Sequence, residues 1–285
     1  MSNRLRSIAT ENELIAEQGT YRNATATTVE IADLLDAARA GTVSYPPDHT
    51  ITPTGGLRGS VEVTAEDSIQ AALRLTEDGA EHVAVLNFAS ARNPGGGYVR
   101  GAAAQEEDLC RSALLYRCLL EAPDYYAAHR ASTDLRYSHR VIWSPHVPVI
   151  RDGRRELLEQ PWTASFLTSA APNASQLAMR SETGPAGPPE PAELAELLAE
   201  RAQRVLAVAA QHGARELVLG AWGCGVFRND PETVAAAFER ALALHGAAFT
   251  RVVFAVWDRS PRSANRAAFE HRFGGARSRS ATVQP

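Results

Sequence analysis

Residues 81–120 read EHVAVLNFASARNPGGGYVRGAAAQEEDLCRSALLYRCLL, and the architecture of the chain can be worked out from them. The first part, Glu81–Ala89, is an apolar run of strand length, and the last part, Gln105–Leu120, has apolar residues at helical spacing. Without a Cβ, consecutive glycines let main-chain N–H groups approach an anion closely. The loop that joins the two segments has three such residues, Gly95, Gly96 and Gly97. Strand, glycine loop and acidic helix start together predict an anion-binding site of an α/β protein.

The composition is that of a soluble globular protein and excludes several classes. The chain has 285 residues, 45% hydrophobic and 22% charged, and a net charge of −4. The acidic balance argues against sequence-independent nucleic-acid binding, which needs a broad basic face. No run reaches the ~20 apolar residues that span a bilayer, and the N-terminus has no signal-peptide core. Three scattered cysteines (Cys110, Cys118 and Cys224) lack zinc-ligand spacing. We therefore expect a cytoplasmic protein without a membrane segment.

The rest of the chain alternates strand and helix patterns. Amphipathic helices are predicted at 3–18 and 28–40, and prolines then break the pattern. From Val61 onward, alternation of strands with helices predicts a largely parallel or mixed sheet covered on both faces. The predicted strands are 61–64, 83–89, 141–150, 166–170, 215–220 and 250–257, and the helices are 65–76, 105–120, 192–212, 231–245 and 262–272. Pro145 and Pro148 confine the strand at 141–150 to an edge or an irregular conformation.

A second glycine loop follows a later strand. Residues 217–230 read LVLGAWGCGVFRND. Both glycine loops leave the carboxyl ends of predicted strands, where ligands of α/β sheets bind, so we expect them to share one pocket. A Cβ at Gly223 or Gly225 is expected to obstruct a diphosphate, either by its bulk or by forbidding the φ angle that the loop needs.

Two segments carry a resemblance to a known family. The stretch LNFASARNPGGGYVRGAAAQEED, residues 86–108, resembles the catalytic signature of bacterial-type poly(ADP-ribose) glycohydrolases, and residues 217–230 resemble the second phosphate loop of that family. The resemblance implies a three-layer α/β/α macrodomain with a mixed sheet over residues 61–273. Residues 1–60 resemble its helical N-terminal extension only loosely, and we expect 274–285 to be a flexible tail.

The resemblance also implies roles for individual residues. Glu107 is expected to protonate the 2′-oxygen of the adjacent ADP-ribose and then to activate water, while Glu106 orients the ribose. Asn93 is expected to bond the distal ribose, and Phe227 to form a platform against the ribose and adenine. Neither a metal nor a cofactor is implied. The expected substrate-binding residues are Asn87, Asn93, Gly95, Gly96, Gly97, Gln105, Gly223, Cys224, Gly225, Val226 and Phe227.

Simpler interpretations exist for the same residues. Acidic residues favour helix N-termini because of the helix dipole, and that dipole lowers a carboxyl pKa, whereas a general acid at neutral pH needs a raised one. We expect the second carboxylate, burial and the bound diphosphate to raise the pKa in the complex. Arg92, Arg100 and Arg228 beside the loops are more often solvated arginines than ligand contacts.

Other functions fit parts of the pattern. An ADP-ribose-binding macrodomain would share the glycine loops without using the glutamates, and a mono-ADP-ribosyl hydrolase would share the pocket with a different leaving group. A nucleotide-sugar phosphatase would need a metal site. The expected partners are poly(ADP-ribose), ADP-ribose and ADP-ribosylated proteins, without nucleic acid or membrane, and the chain is expected to be a monomer. Residues 259–273 are a candidate cap that would direct cleavage to chain ends.

Overall fold

The computed structural model describes residues 2–183 and 190–274. The strands are β1 (Thr20–Arg22), β2 (Thr28–Glu30), β3 (Val43–Tyr45), β4 (Ser60–Thr64), β5 (Val83–Phe88), β6 (Val141–Arg151), β7 (Leu157–Ser169), β8 (Glu216–Leu219) and β9 (Arg251–Ala255). The helices are α1 (Asn3–Gln18), α2 (Ala32–Ala40), α3 (Ser68–Glu77), α4 (Gln105–Ser112), α5 (Leu115–Leu119), α6 (Pro123–Ala131), α7 (Ala174–Thr183), α8 (Pro191–Gln211), α9 (Pro231–His245) and α10 (Ala264–Phe273). Of the tail expected at 274–285, residues 275–285 lie outside the described residues.

The chain divides into two compact units, and the first consists of residues 1–50 and 82–171. Its strands lie in the order β3, β6, β7, β5, with β5 parallel to β7 and the other pairs antiparallel, so this part of the sheet is mixed. Strand β5 is buried along nearly its whole length, as its continuous apolar sequence predicts. The second unit contains residues 51–81 and those that follow 171. In it β9 lies between β4 and β8, parallel to both.

Local signals explain where several helices begin and end. Helix α1 begins after Ser2, whose side chain accepts a hydrogen bond from Leu5 N, and ends at Gly19, whose left-handed φ of 71° closes the last turn onto Ile15 O. Helix α9 begins with Asp230 as its N-cap and proline in the first turn. The predicted helix at 3–18 is confirmed at both ends.

The predicted helix at 105–120 is wrong at its centre. Helix α4 ends at Ser112, because Ala113 is extended (φ −116°, ψ 158°) and forms a β-bridge with Val149 of β6. The amide of Leu114 then donates to Pro148 O, 3.0 Å away. A contact with a distant strand therefore divides a helical pattern that continues in the sequence.

Some helices and strands were not predicted correctly from the sequence. The helix expected at 28–40 begins only at residue 32, because residues 28–30 pair with 20–22 in a hairpin. The turn of that hairpin is held by Asn23 Oδ1, which accepts hydrogen bonds from the amides of Thr25 and Thr27. Helices α6 and α7 and strand β3 were not expected. The irregular strand expected around Pro145 and Pro148 is confirmed, since the β6–β7 register shifts between Ser144 and Val147.

Candidate active site

Gln105 fixes the start of α4 to the end of β5. Its side-chain Oε1 accepts a hydrogen bond from Phe88 N, and its Nε2 donates to Leu86 O, both at 2.8 Å. The carboxamide thus bonds the end of β5 as a neighbouring strand would. Since both of its polar atoms are engaged with the main chain, the structure gives Gln105 a positioning role, and the substrate contact expected for it stays a prediction.

Glu106 is a buried carboxyl, 3% exposed, that is held by nitrogen donors. Its Oε2 accepts a hydrogen bond from Ser90 N at 2.6 Å, and its Oε1 accepts one from Asn87 Nδ2 at 3.3 Å. Burial raises its pKa from the ordinary 4.5 to about 8; these donors lower it, and the neighbouring carboxyl Glu107 raises it. Glu106 therefore has a raised pKa without ligand, and the rise expected for the general acid in the complex stays a prediction.

The raised pKa makes stability depend on pH with a definite sign. Between pH 4.5 and about 8 the folded protein keeps a proton on Glu106 that the unfolded chain has lost. The free energy of unfolding should therefore fall as the pH rises through this range. We expect the melting temperature of the wild type to fall more steeply from pH 5 to about 8 than that of Glu106→Gln, which binds no such proton.

The control for this comparison is Glu77→Gln, which removes an exposed carboxyl at the end of α3. It should keep the wild-type slope. Parallel curves for the wild type and Glu106→Gln would show that Glu106 titrates as it does in the unfolded chain.

Glu107 has one oxygen held and one oxygen without a partner. Its Oε1 accepts a hydrogen bond from Gly97 N at 2.8 Å. Its Oε2 is buried, and no group in the described residues bonds to it. The side chain as a whole is 8% exposed. A buried acceptor without a partner loses the hydrogen bonds that water would give it, so such atoms in native structures call for an explanation such as a ligand.

The glycine loop fits tightly around the two carboxyls. Gly95 and Gly96 have left-handed φ angles of 62° and 59°. A Cβ on Gly96 would lie 2.5 Å from Glu107 Oε1 and 3.0 Å from Glu106 Oε2. The loop amides were expected to grip a diphosphate, but Gly96 N donates to Asn93 O and Gly97 N to Glu107. In this structure the glycines therefore give the carboxyls room and hold one of them.

The two asparagines predicted near this loop differ in their surroundings. Asn87 is fully buried, and its Nδ2 donates to Thr168 Oγ1 at 3.1 Å as well as to Glu106. The amide thus helps to hold the Glu106 carboxyl, and the substrate contact expected for Asn87 stays a prediction. Asn93 is exposed, its amide donates to Ser90 Oγ and its carbonyl closes the turn of the loop. Its side chain remains open to solvent.

The second glycine loop is held within its own unit by a neighbouring segment. Asn229, 4% exposed, donates from Nδ2 to Pro172 O at 2.9 Å and to Gly223 O at 3.1 Å. Ser175 N donates to Phe227 O at 2.9 Å. Sequence reasoning missed Asn229 and Ser175, although the first of them directly precedes the N-cap of α9. Trp222 in this loop is fully buried.

The predicted ligand residues of this loop differ in exposure. Val226 is 80% exposed and Phe227 is partly buried. Gly223 has the expected left-handed φ of 72°. Gly225 does not have a left-handed φ, and a Cβ there would meet nothing within 4 Å. The expectation that the φ of Gly225 forbids a side chain is therefore wrong, and only a ligand would be obstructed. Burial raises the pKa of the half-buried Cys224 thiol to about 12, so it carries no negative charge at neutral pH.

Two features bear on the other functions considered. Among residues 2–183 and 190–274, no group of three or more His, Cys, Asp or Glu side chains is arranged to hold a metal ion. No helix in this part of the chain is long and apolar enough to cross a membrane.

Comparison with known proteins identifies the family. Residues 9–152 match the model of the microbial-type PARG (poly(ADP-ribose) glycohydrolase) catalytic domain. The chain resembles poly(ADP-ribose) glycohydrolase from Thermomonospora curvata, solved with the inhibitor ADP-HPD, with 43% identity over 95% of this chain and 100% of that chain, at a TM-score of 0.84.

A second enzyme gives the same answer. The Deinococcus radiodurans poly(ADP-ribose) glycohydrolase, solved with ADP-ribose, is 41% identical over 87% of this chain and 99% of that chain, at a TM-score of 0.75. A comparison with curated proteins finds no match. The predicted macrodomain-like α/β fold, the family and the enzyme class are confirmed. The chain therefore belongs to the microbial-type poly(ADP-ribose) glycohydrolases and is a glycosidase.

Proposed function

We propose that this protein hydrolyses the ribose–ribose O-glycosidic bonds of poly(ADP-ribose), attached to proteins or free, and releases ADP-ribose mainly from chain ends. The observation that carries the proposal is the state of Glu107, whose Oε1 is fixed by Gly97 N while its buried Oε2 has no partner among the described residues. A carboxyl fixed at one oxygen and open at the other is suited to transfer a proton to a bound substrate.

In the proposed reaction Glu107 acts first as an acid and then as a base. Its proton goes to the 2′-oxygen of the neighbouring ADP-ribose as the bond from that oxygen to the anomeric carbon breaks. The anomeric carbon passes through an oxocarbenium-like species. The Glu107 carboxylate then takes a proton from water as the water oxygen bonds to that carbon, which restores the acid.

The raised pKa of Glu106 does not make it the better acid. Both oxygens of Glu106 are bound by donors from Asn87 and Ser90. A general acid must first lie within hydrogen-bond reach of the group it protonates, and only then does its pKa matter. The ribose-orienting role proposed for Glu106 rests on the family resemblance.

The second loop remains our candidate for the diphosphate contact. Among the described residues, the N–H groups of Gly225 and Val226 have no acceptor, so an anion can take them. Anions bind such N–H groups through hydrogen bonds that the ligand charge strengthens. For Gly95–Gly97 the same role requires Gly96 N and Gly97 N to turn from their present acceptors. The proposed ligand contacts of Asn93 and Phe227 rest on the family resemblance.

Gly225→Val tests this contact without straining the protein. The new side chain enters open space and the φ angle is ordinary, so the melting temperature should stay at the wild-type value. The affinity for ADP-ribose should fall by more than about tenfold, because the side chain occupies the approach of the phosphate. Calorimetry with ADP-ribose measures this, and wild-type affinity would mean that the ligand does not touch this loop.

One assay tests the proposed function against its alternatives. End-labelled poly(ADP-ribose) and mono-ADP-ribosylated protein are each incubated with the protein in excess EDTA, and the products are resolved over time. We expect free ADP-ribose as the dominant early product from long chains. Early oligomers of intermediate length would indicate internal cleavage, release from the mono-modified protein alone would indicate a mono-ADP-ribosyl hydrolase, and binding without turnover would indicate a binding module.

A further inference from the structure

Asn12 is a fully buried polar residue on the apolar face of α1. The buried positions of this helix are Leu5, Ile8, Ala9, Asn12 and Ile15, the spacing of a single helical stripe. An asparagine on such a stripe must find hydrogen-bond partners inside the protein. Its partners in unit 1 therefore indicate what the residue does.

The amide of Asn12 bonds the open end of α4. Because the chain turns away at Ala113 to meet β6, Cys110 O loses the amide that a longer helix would offer, that of Leu114. Asn12 Nδ2 donates to Arg111 O at 2.9 Å and lies 3.4 Å from Cys110 O. Asn12 thus caps, from another helix, the last turn of the helix whose first turn carries Glu106 and Glu107.

Arg151 at the end of β6 sets the orientation of the Asn12 amide. Its Nε donates to Asn12 Oδ1 at 2.7 Å, so Nδ2 must face the carbonyls of α4. Arg151 is itself 4% exposed. Its other nitrogens bond Glu11 Oε2 at 2.6 Å and Arg155 O at 2.8 Å. The capping group is therefore held in one orientation.

Helix α1 also holds the chain that leads into α4. Tyr98 Oη lies 3.3 Å from Ala9 O and 3.2 Å from Glu13 Oε1. Ser2 N donates to Gly101 O at 3.1 Å. Residues 98–111 are thus tied to α1 and its N-cap at both ends. The bond from Gly97 N to Glu107 Oε1 joins the residue before the first tie to a residue between the ties.

We propose that Asn12 is a positioning residue for the reaction. Together with Tyr98, it holds α4 in the position where Glu107 Oε1 bonds Gly97 N and Glu107 Oε2 stays free for substrate. The proposal rests on the proposed function, since it assigns Glu107 the proton transfer. Asn12 does not touch the reacting atoms; it acts by keeping Glu107 in place.

The decisive variant is Asn12→Asp, which keeps an oxygen for Arg151 and sets the other against two carbonyl oxygens. We expect kcat on poly(ADP-ribose) to fall by about tenfold or more, because a small displacement of the acid slows proton transfer. The Kd for ADP-ribose should change by less than about threefold. Exchange of the Gly97 amide with deuterium should become at least about tenfold faster, because its acceptor moves away.

Ile15→Ala is the matched control, since it removes a buried side chain from the same face of α1 without touching the carbonyls of α4. Compared at equal folded fraction, it should keep kcat within about twofold of the wild type. The proposal would be overturned if Asn12→Asp and Ile15→Ala lost kcat equally, or if the Gly97 amide exchanged at the same rate in both variants. Either result would mean that the two substitutions only loosen α1.

Tyr98→Phe decides the matter if Asn12→Asp does not fold. It removes only the hydroxyl tie to α1, and kcat should fall by about threefold or more with unchanged affinity. Wild-type kcat and exchange in this variant would overturn the proposal. If the wild-type protein releases no ADP-ribose, the proposed function fails, and Gly97 exchange still reports whether α1 holds Glu107 in place.

Discussion

Glu107→Gln is expected to bind ADP-ribose with near wild-type affinity and to lose at least several hundredfold in the rate of polymer cleavage. Glutamine has the shape of glutamate, so its Oε1 can still accept the hydrogen bond from Gly97 N and keep the loop in place. Only the transferable proton is lost, and general acid–base catalysis contributes roughly 10²–10⁴-fold. Single-turnover cleavage of labelled polymer and calorimetry with ADP-ribose measure the two quantities separately.

Asp108→Asn is the matched control for this experiment. It removes a negative charge one residue further along the first turn of α4, from a side chain that is 53% exposed. Both variants change the interaction of the helix dipole with its acidic residues, but only one removes the proposed acid. Asp108 Oδ1 accepts hydrogen bonds from the buried Arg111, at 3.2 Å from Nε and 2.9 Å from Nη2. The Oδ1 of asparagine can still accept these bonds, so the control should cleave within about threefold of the wild type. Near-normal turnover by Glu107→Gln would defeat the assignment.

Gly96→Ala should abolish measurable activity, with a loss of at least about a hundredfold. Gly96 has a left-handed φ of 59°, and the added Cβ would lie 2.5 Å from Glu107 Oε1 and 3.0 Å from Glu106 Oε2. One or both carboxyls must move, which breaks the bond that fixes Glu107 or crowds the buried Glu106. Turnover of polymer, with the melting temperature measured in parallel, tests this expectation.

Gly213→Ala is the control that distinguishes the clash of the Gly96 Cβ with the carboxyls from the backbone strain of a left-handed φ. Gly213 has a similar φ of 73°, but a Cβ there meets nothing within 4 Å. Both substitutions place an L-residue in the left-handed region, at a cost of roughly 1–2 kcal/mol. We expect both variants to lose stability through this strain, Gly96→Ala to lose more because its Cβ displaces the carboxyls, and only Gly96→Ala to lose activity. Equal activity in the two variants would show that the space beside Gly96 is not what keeps the carboxyls in place.

The sequence was sufficient for features that depend on local patterns. The strand before Gly95, the acidic start of α4 and the helix at 3–18 follow from hydrophobic spacing and glycine residues, and the structure confirms these elements. The family followed from a motif of adjacent segments and is confirmed as well.

Features decided by distant contacts could not be predicted. The end of α4 depends on a bridge between Ala113 and Val149, which are far apart in the sequence. Nothing local shows that Gly96 borders two carboxyls or that the Asn87 amide reaches Glu106. Asn12 did leave a signal, because a polar residue interrupts the apolar stripe of α1, but the sequence does not say which carbonyls it meets.

The buried Glu106 has a consequence for evolution in the laboratory. A carboxyl whose pKa stands at about 8 costs the folded protein free energy at alkaline pH that a neutral residue of the same shape would not. Enzymes commonly accept such destabilised groups in exchange for activity. A library of this protein selected only for survival at high temperature and alkaline pH should therefore enrich Glu106→Gln, and the same library selected for polymer turnover should eliminate it. The difference in enrichment between the two selections would measure the trade-off between thermostability and catalytic activity at position 106.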